Sequence, residues 1–94
     1  MSNLARYGVE FLGTFTFLSV ILSTGEPVAI AIALLAAIYF GAQVSGAHFN
    51  PAVTFMMYVN GTIDRKDALM YVLVQLAGAY AAYMFVRKVV KKSS

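Results

Sequence analysis

The chain has 94 residues, of which 61% are hydrophobic and only 12% charged, with seven Lys or Arg against four Asp or Glu. A soluble domain carries about 25% charged residues, so this composition excludes an ordinary water-soluble fold and points to an integral, multi-pass membrane protein. Cysteine is absent, which excludes disulfides and thiolate metal sites, and the length suits one small unit without a second domain.

The start, Met1-Ser2-Asn3-Leu4-Ala5-Arg6, carries a single basic residue and leads into an apolar run too long for a signal peptide. A transmembrane helix needs about 20 mostly apolar residues, and the first such span is predicted over about residues 4–23. Thr24-Gly25-Glu26-Pro27 reads as a turn, because Gly and Pro punctuate. A second span without a charge follows over about residues 28–44. In it Ala29, Ala33, Ala37, Gly41 and Ser45 recur at every fourth position, a stripe that lets helix backbones approach closely in lipid.

Ser45 to Asn50 reads as a loop. Asn is a favoured helix N-cap and Pro the preferred first helical residue, so Asn50-Pro51 opens a helix over about residues 51–59. That helix is too short to cross a membrane and is predicted to be re-entrant. Non-helical backbone at such depth is tolerated only where it is buried in protein or lines a wet cavity, and a helix N-terminus turns its positive dipole end toward that cavity. A polar path through an apolar wall is the reading these residues support. Asn60-Gly61-Thr62 is a turn that also has the N-glycosylation pattern. Asp64 can cap the third span, with Asp67 adding negative charge to its first turn. That span covers about residues 65–86 and repeats the small-residue spacing in Val74, Gly78 and Ala82. The tail residues Arg87, Lys88, Lys91 and Lys92 belong at lipid headgroups rather than on nucleic acid.

Two polar residues stand out inside the spans. Glu10 either sits near the interface or accepts hydrogen bonds from loop N–H groups around residues 45–50, which must find partners somewhere. Gln75 is either a polar lock on that loop or a helix–helix hydrogen bond. His48 is a lone histidine and implies no metal site. No nucleophile–base pair, metal cluster or phosphate loop is present in the sequence, so no catalytic residue, cofactor or enzymatic activity is expected.

The chain resembles one repeat of the aquaporin and glycerol-channel (major intrinsic protein) family. Glu10-Phe11-Leu12-Gly13-Thr14-Phe15 resembles the family's first-helix motif, Ser45 to Thr54 its first NPA box, and Ile63, Asp64, Ala68, Tyr71, Gln75, Gly78 and Ala79 its third-helix pattern. The resemblance covers nearly the whole chain. It implies an all-α membrane fold in which residues 1–94 form a single repeat of three transmembrane helices and one half-helix. Family members carry two such repeats in opposite orientations, and their pore needs two half-helices meeting at the midplane. One repeat therefore implies either a second copy that supplies the missing half or an inactive fragment.

The charges bear on that choice. Arg6, Arg65 and Lys66 fall on one side, and Arg87, Lys88, Lys91 and Lys92 on the other, three against four. A Lys/Arg imbalance normally sets orientation. Its near absence suggests a dual-topology protein whose inverted copies pair; the other reading is a single orientation with the tail as headgroup anchor. On the family's pattern, the carbonyls of Gly46, Ala47 and His48 form a ladder of acceptors. Asn50 caps its helix and turns its amide into the pore, and Pro51 and Ala52 meet their counterparts. Phe17, Ile30, Leu34, Ile38 and Val53 line the wall and filter, with Ala47 at a further filter position. Val53 stands where the second box of the family has Arg, so the filter is apolar and lacks a fixed positive charge. The function implied is a passive channel for water or small neutral solutes such as glycerol. Its partners would be the lipid bilayer and an inverted copy of itself, by analogy four such pairs, or eight chains. The alternatives are a structural membrane protein that conducts nothing and a half-channel that needs a different chain for the second repeat.

Overall fold

A computed structural model describes residues 2–91; Lys92 of the basic tail lies outside them. The fold is all-α: α1 is Asn3–Thr24, α2 Pro27–Ser45, α3 Pro51–Val59 and α4 Arg65–Phe85, the last running on into a π-helical segment, Val86–Val90. Local chemistry sets each boundary. The Ser2 side chain accepts from the Ala5 N–H at 3.1 Å to open α1. Glu26 accepts from the Val28 N–H at 2.9 Å to open α2, with Pro27 in the first turn. Asp64 accepts from the Asp67 N–H at 2.8 Å to open α4. Gly46 ends α2 at φ 87°, a left-handed conformation that glycine adopts without a Cβ penalty.

Three helices, Asn3–Thr24, Pro27–Ser45 and Arg65–Val90, are long and apolar enough to cross a membrane. The 45 Å long axis matches a whole bilayer with its headgroups. The distribution of side chains is the reverse of a soluble protein's. Glu10, Thr14, Ser45, His48, Thr54 and Gln75 are buried, whereas Tyr39 and Phe40 on α2 are each 80% exposed. Lipid solvates that outer surface, so the polar groups gather inside; most of them pair with one another, while Thr14 Oγ1, Ser19 Oγ and Gln75 Oε1 find no partner among the described residues.

Helix α1 is the centre of the bundle. It packs on α2 along one side and on α4 along the other, and α3 rests on α4. Helix α2 packs on α1 alone among these elements. The stripe Ala29, Ala33, Ala37, Gly41, Ser45 is its less exposed face, and Gly41 and Ser45 are buried. On the other side Gly78 brings α4 against α1. A Cβ there would lie 2.7 Å from the Phe11 carbonyl oxygen and 3.3 Å from the Phe15 nitrogen. Those neighbours are backbone and cannot turn aside, so Gly78→Ala must part the helices. We expect it to cost about 1–3 kcal/mol. Gly8→Ala on α1 meets nothing within 4 Å and is expected to be neutral or stabilising by up to about 1 kcal/mol. Thermal unfolding of both variants in detergent micelles checks the contrast.

The two ends of the bundle differ. Arg6 and Asp67 form a salt bridge of 2.8 Å, so α1 and α4 start at the same end and run in parallel. Tyr7 also donates to Asp67. Where α4 ends, Phe85 packs on Phe15 of the middle of α1 at 5.5 Å between ring centroids, and Val86 is buried. Helix α3 starts at depth. Its Thr54 meets Gln75, ten residues into α4 by number, which is about 15 Å along the helix and half of a hydrocarbon core of about 30 Å. The short turn of residues 60–64 then joins α3 to the start of α4. The half-helix thus begins mid-depth and returns to the end at which α1 and α4 start.

Candidate functional site

The loop between α2 and α3 is folded around one carboxylate. Glu10 is 0% exposed. One oxygen, Oε2, accepts from the Ser45 hydroxyl at 2.8 Å and the His48 N–H at 2.9 Å. The other, Oε1, accepts from the Phe49 N–H at 2.8 Å and the Gln75 amide at 2.9 Å. All four partners donate, so the four acceptor positions of an ionised carboxylate are filled. A buried anion is tolerable on such terms, since each partner both satisfies it and is itself satisfied.

The same loop bends sharply. Ala47 and Phe49 both sit at φ 53°, following Gly46 at φ 87°. A left-handed phenylalanine is uncommon and persists only where its surroundings over-determine it. Here its N–H is tied to Glu10, and its ring fills a cradle of two glycines. A Cβ on Gly13 would lie 2.1 Å from the Phe49 ring, and one on Gly41 would lie 2.9 Å from it. Gly13→Ala is therefore expected to expel the ring and shift the loop, at a cost of about 1–3 kcal/mol. The check is the same micelle unfolding assay, together with faster hydrogen exchange at the Phe49 amide.

A second layer of hydrogen bonds links the loop to α3 and α4. The Gln75 amide also donates to the Thr54 hydroxyl at 2.9 Å, and Thr54 lies 2.8 Å from His48 Nδ1. Thr54 accepts from Gln75, so its own proton is free to go to Nδ1 of a neutral imidazole. The His48 ring is buried edge-on against Tyr71 at 4.9 Å, and the Tyr71 hydroxyl donates to the Ser45 carbonyl at 2.7 Å. The Arg6 guanidinium lies 5.5 Å over the Tyr71 ring, within cation–π range. The end of the bundle is thereby connected to the loop at its centre.

These contacts leave a distinct set of groups free. The Asn50 side-chain oxygen accepts from the Ala52 N–H at 2.8 Å and caps α3. Asn50, Pro51 and Ala52 are exposed. Among the described residues no donor reaches the carbonyls of Gly46, Ala47 or His48, while Ser45 supplies an acceptor to the Ala47 N–H at 3.1 Å. A tip of exposed N-terminal backbone thus adjoins a run of unpaired acceptors at mid-depth. The other wall candidates lie apart from this cluster in sequence. Phe17 is on α1, and Ile30, Leu34 and Ile38 share a face of α2 at four-residue spacing. Val53 is in the first turn of α3, which carries no basic residue. Among the described residues no three of His, Asp and Glu gather as a metal would need.

Several members of this network were legible only as parts of a motif. Phe49, Thr54, Tyr71 and Gly13 all fall in the stretches that resemble the family's patterns, but no individual role could be assigned to them, because those roles come from the cradle, the carboxylate and the loop they meet in space. Gly13 offered one further signal, a glycine in mid-helix where it weakens the helix unless close packing requires it.

Residues 24–94 match the family described as Major intrinsic protein. The chain belongs to the major intrinsic protein family. It is 39% identical over 94 residues to the glycerol uptake facilitator protein-like 6 of Lactiplantibacillus plantarum, an alignment that covers 90% of this chain and 44% of that protein. It is 44% identical over 57 residues to aquaporin TIP1-2 of Zea mays, covering 61% of this chain and 22% of the relative. With aquaporin TIP2-1 of Arabidopsis thaliana the identity is 33% over 108 residues, covering 95% and 43%. The chain thus spans less than half the length of these curated relatives. No solved structure matches it. Family membership and the three membrane-capable helices make it an integral, multi-pass membrane protein.

Proposed function

We propose that the protein is a passive channel for water and small neutral solutes of the glycerol kind, with the pore formed between two oppositely oriented copies of the chain. The observation that carries this reading is the α3 tip. Its N-terminus and the free carbonyls of Gly46, Ala47 and His48 lie at mid-depth and are unused by the chain's own core. Exposed polar backbone in hydrocarbon is tolerated only where it is buried in protein or lines a water-filled cavity. Three spans and one half-helix enclose no such cavity. A second half, related by a two-fold axis in the membrane plane, would close it, as inverted repeats do in other transport proteins. Arg6, Arg65 and Lys66 at one end, against Arg87, Lys88 and Lys91 at the other, leave little bias toward one orientation.

In such a pair the carbonyl ladder replaces part of the hydration lost by a passing solute. Each Asn50, its oxygen engaged by the Ala52 N–H, has its amide free as a donor to the solute oxygen. Two facing helix N-termini oppose cations. The wall assigned to Phe17, Ile30, Leu34, Ile38 and Val53 is apolar, and without a cationic side chain at the tip it suits neutral solutes. Glu10 and Gln75 hold the loop in place and do not touch the solute. Purified protein in liposomes tests this. Water and glycerol flux above that of empty vesicles, lost on plugging with Ala47→Trp, supports the channel. Absence of flux from the protein alone contradicts the paired pore, and flux only after addition of a different second-repeat chain identifies a half-channel.

A further inference from the structure

We propose that the end of α4 and the π-helical segment after it form a binding site for the phosphate headgroups of anionic phospholipids. Arg87, Lys88 and Lys91 are all exposed there, within little more than one turn, on a segment whose Val86 is buried in the bundle. The burial of Val86 fixes the rotation of this segment, so its charged residues face outward. The Arg87 guanidinium is also held in place. It lies 5.9 Å over the Tyr83 ring and donates through Nη1 to the Tyr83 hydroxyl at 3.2 Å. One bond leaves most of its five donors free for a phosphate, and Arg binds phosphate through two parallel N–H groups. Lys88 and Lys91 add compact charges beside it.

The opposite end of the bundle makes a useful contrast. Arg6 there is already paired with Asp67; Arg65 and Lys66 are exposed without an ion pair, but Asp64 and Asp67 at the same end offset two of its three positive charges. At the α4 terminus no described cation has an acidic partner, and Glu26 at the α1–α2 turn caps α2 through Oε1 and forms no ion pair with them. The lipid, rather than a soluble anion, is the occupant because the site ends a membrane-spanning helix. Tyr83 lies one turn before it, eight residues or about 12 Å beyond mid-depth Gln75 and so close to the interface, and Val89 and Val90 are exposed between the charges. Acyl chains can lie along that apolar surface while the headgroup meets the cations.

Spin-labelled phosphatidylglycerol and phosphatidylcholine of matched chains, each added to phosphatidylcholine vesicles holding the intact protein, test the proposal. The immobilised fraction reports which lipid the protein holds. We expect a preference of about five-fold or more for the anionic label, the factor that one basic residue near the surface supplies. Arg87→Gln/Lys88→Gln/Lys91→Gln should bring it close to parity, while Arg65→Gln/Lys66→Gln keeps most of it. Circular dichroism verifies that both variants are helical, which exposed substitutions should leave unchanged. No preference in the wild type, or the same preference in the triple variant, would overturn the site. So would displacement of the label by excess inorganic phosphate at constant ionic strength, which would mark a soluble-anion site. The readout is lipid selectivity alone and does not depend on whether the protein conducts.

Discussion

Glu10→Ala is expected to destroy the loop between α2 and α3 and with it most of the stability of the bundle. The substitution removes the shared acceptor of four buried donors at once: the Ser45 hydroxyl, the His48 and Phe49 N–H groups and the Gln75 amide; only Gln75, through Thr54, keeps a second bond of ordinary length, and Ser45 is left with the Gly41 carbonyl at 3.4 Å. A buried donor left without a partner costs about 1–3 kcal/mol, so the total is about 4 kcal/mol or more. That is a large share of the roughly 5–15 kcal/mol that holds a typical domain together. Glu10→Gln keeps the shape but replaces one acceptor oxygen with a donor, and should lose about half as much. Thermal unfolding in micelles gives the order wild type, Gln, Ala. Hydrogen exchange at the His48 and Phe49 amides should rise in the same order. An Ala variant as stable as the wild type would mean that the carboxylate does not organise the loop.

Asn50→Asp has the opposite character, with a large effect on transport and almost none on folding. Asp is as good an N-cap as Asn, so the bond to the Ala52 N–H survives, and a negative charge at a helix N-terminus is favourable by a few tenths of a kcal/mol to about 1 kcal/mol. The variant should unfold at or slightly above the wild-type temperature. What it loses is the free amide of an exposed tip residue, replaced by a carboxylate that faces its own counterpart in the pair. We expect water and glycerol flux to fall at least about tenfold, the equivalent of a barrier about 1.4 kcal/mol higher. Stopped-flow light scattering on proteoliposomes measures it. Unchanged flux would remove Asn50 from the conduit.

The two expectations differ because the sequence speaks clearly about some residues and not about others. Three spans were legible from length and hydropathy, and the half-helix from Asn50-Pro51 followed by too few apolar residues to cross. Glu10 and Gln75 were conspicuous because a polar side chain in an apolar span must find a partner. Which N–H groups Glu10 takes could not be read, since that depends on loop dihedrals that put Ala47 and Phe49 in the left-handed region. Nor could the Phe49 cradle, because Gly13 and Gly41 are far apart in sequence and meet only through the ring. The Arg6–Asp67 pair likewise needs α1 and α4 to run in parallel. The wall assigned to Phe17, Ile30, Leu34 and Ile38 rests on the family resemblance, for one repeat gives those side chains no opposite wall to face.

The paired, inverted arrangement is the claim on which the conduit depends, and its geometry offers a direct measurement. The chain has no cysteine, so Ala52→Cys places a single thiol on the exposed tip of α3. If two tips meet across a two-fold axis, the two thiols lie close together. Mild oxidation in membranes should then give a covalent dimer in high yield, while a lipid-facing control such as Leu35→Cys on α2 stays monomeric. An Ala52→Cys protein that remains monomeric in conducting proteoliposomes would contradict the account, because solute would then be passing without the tips having met.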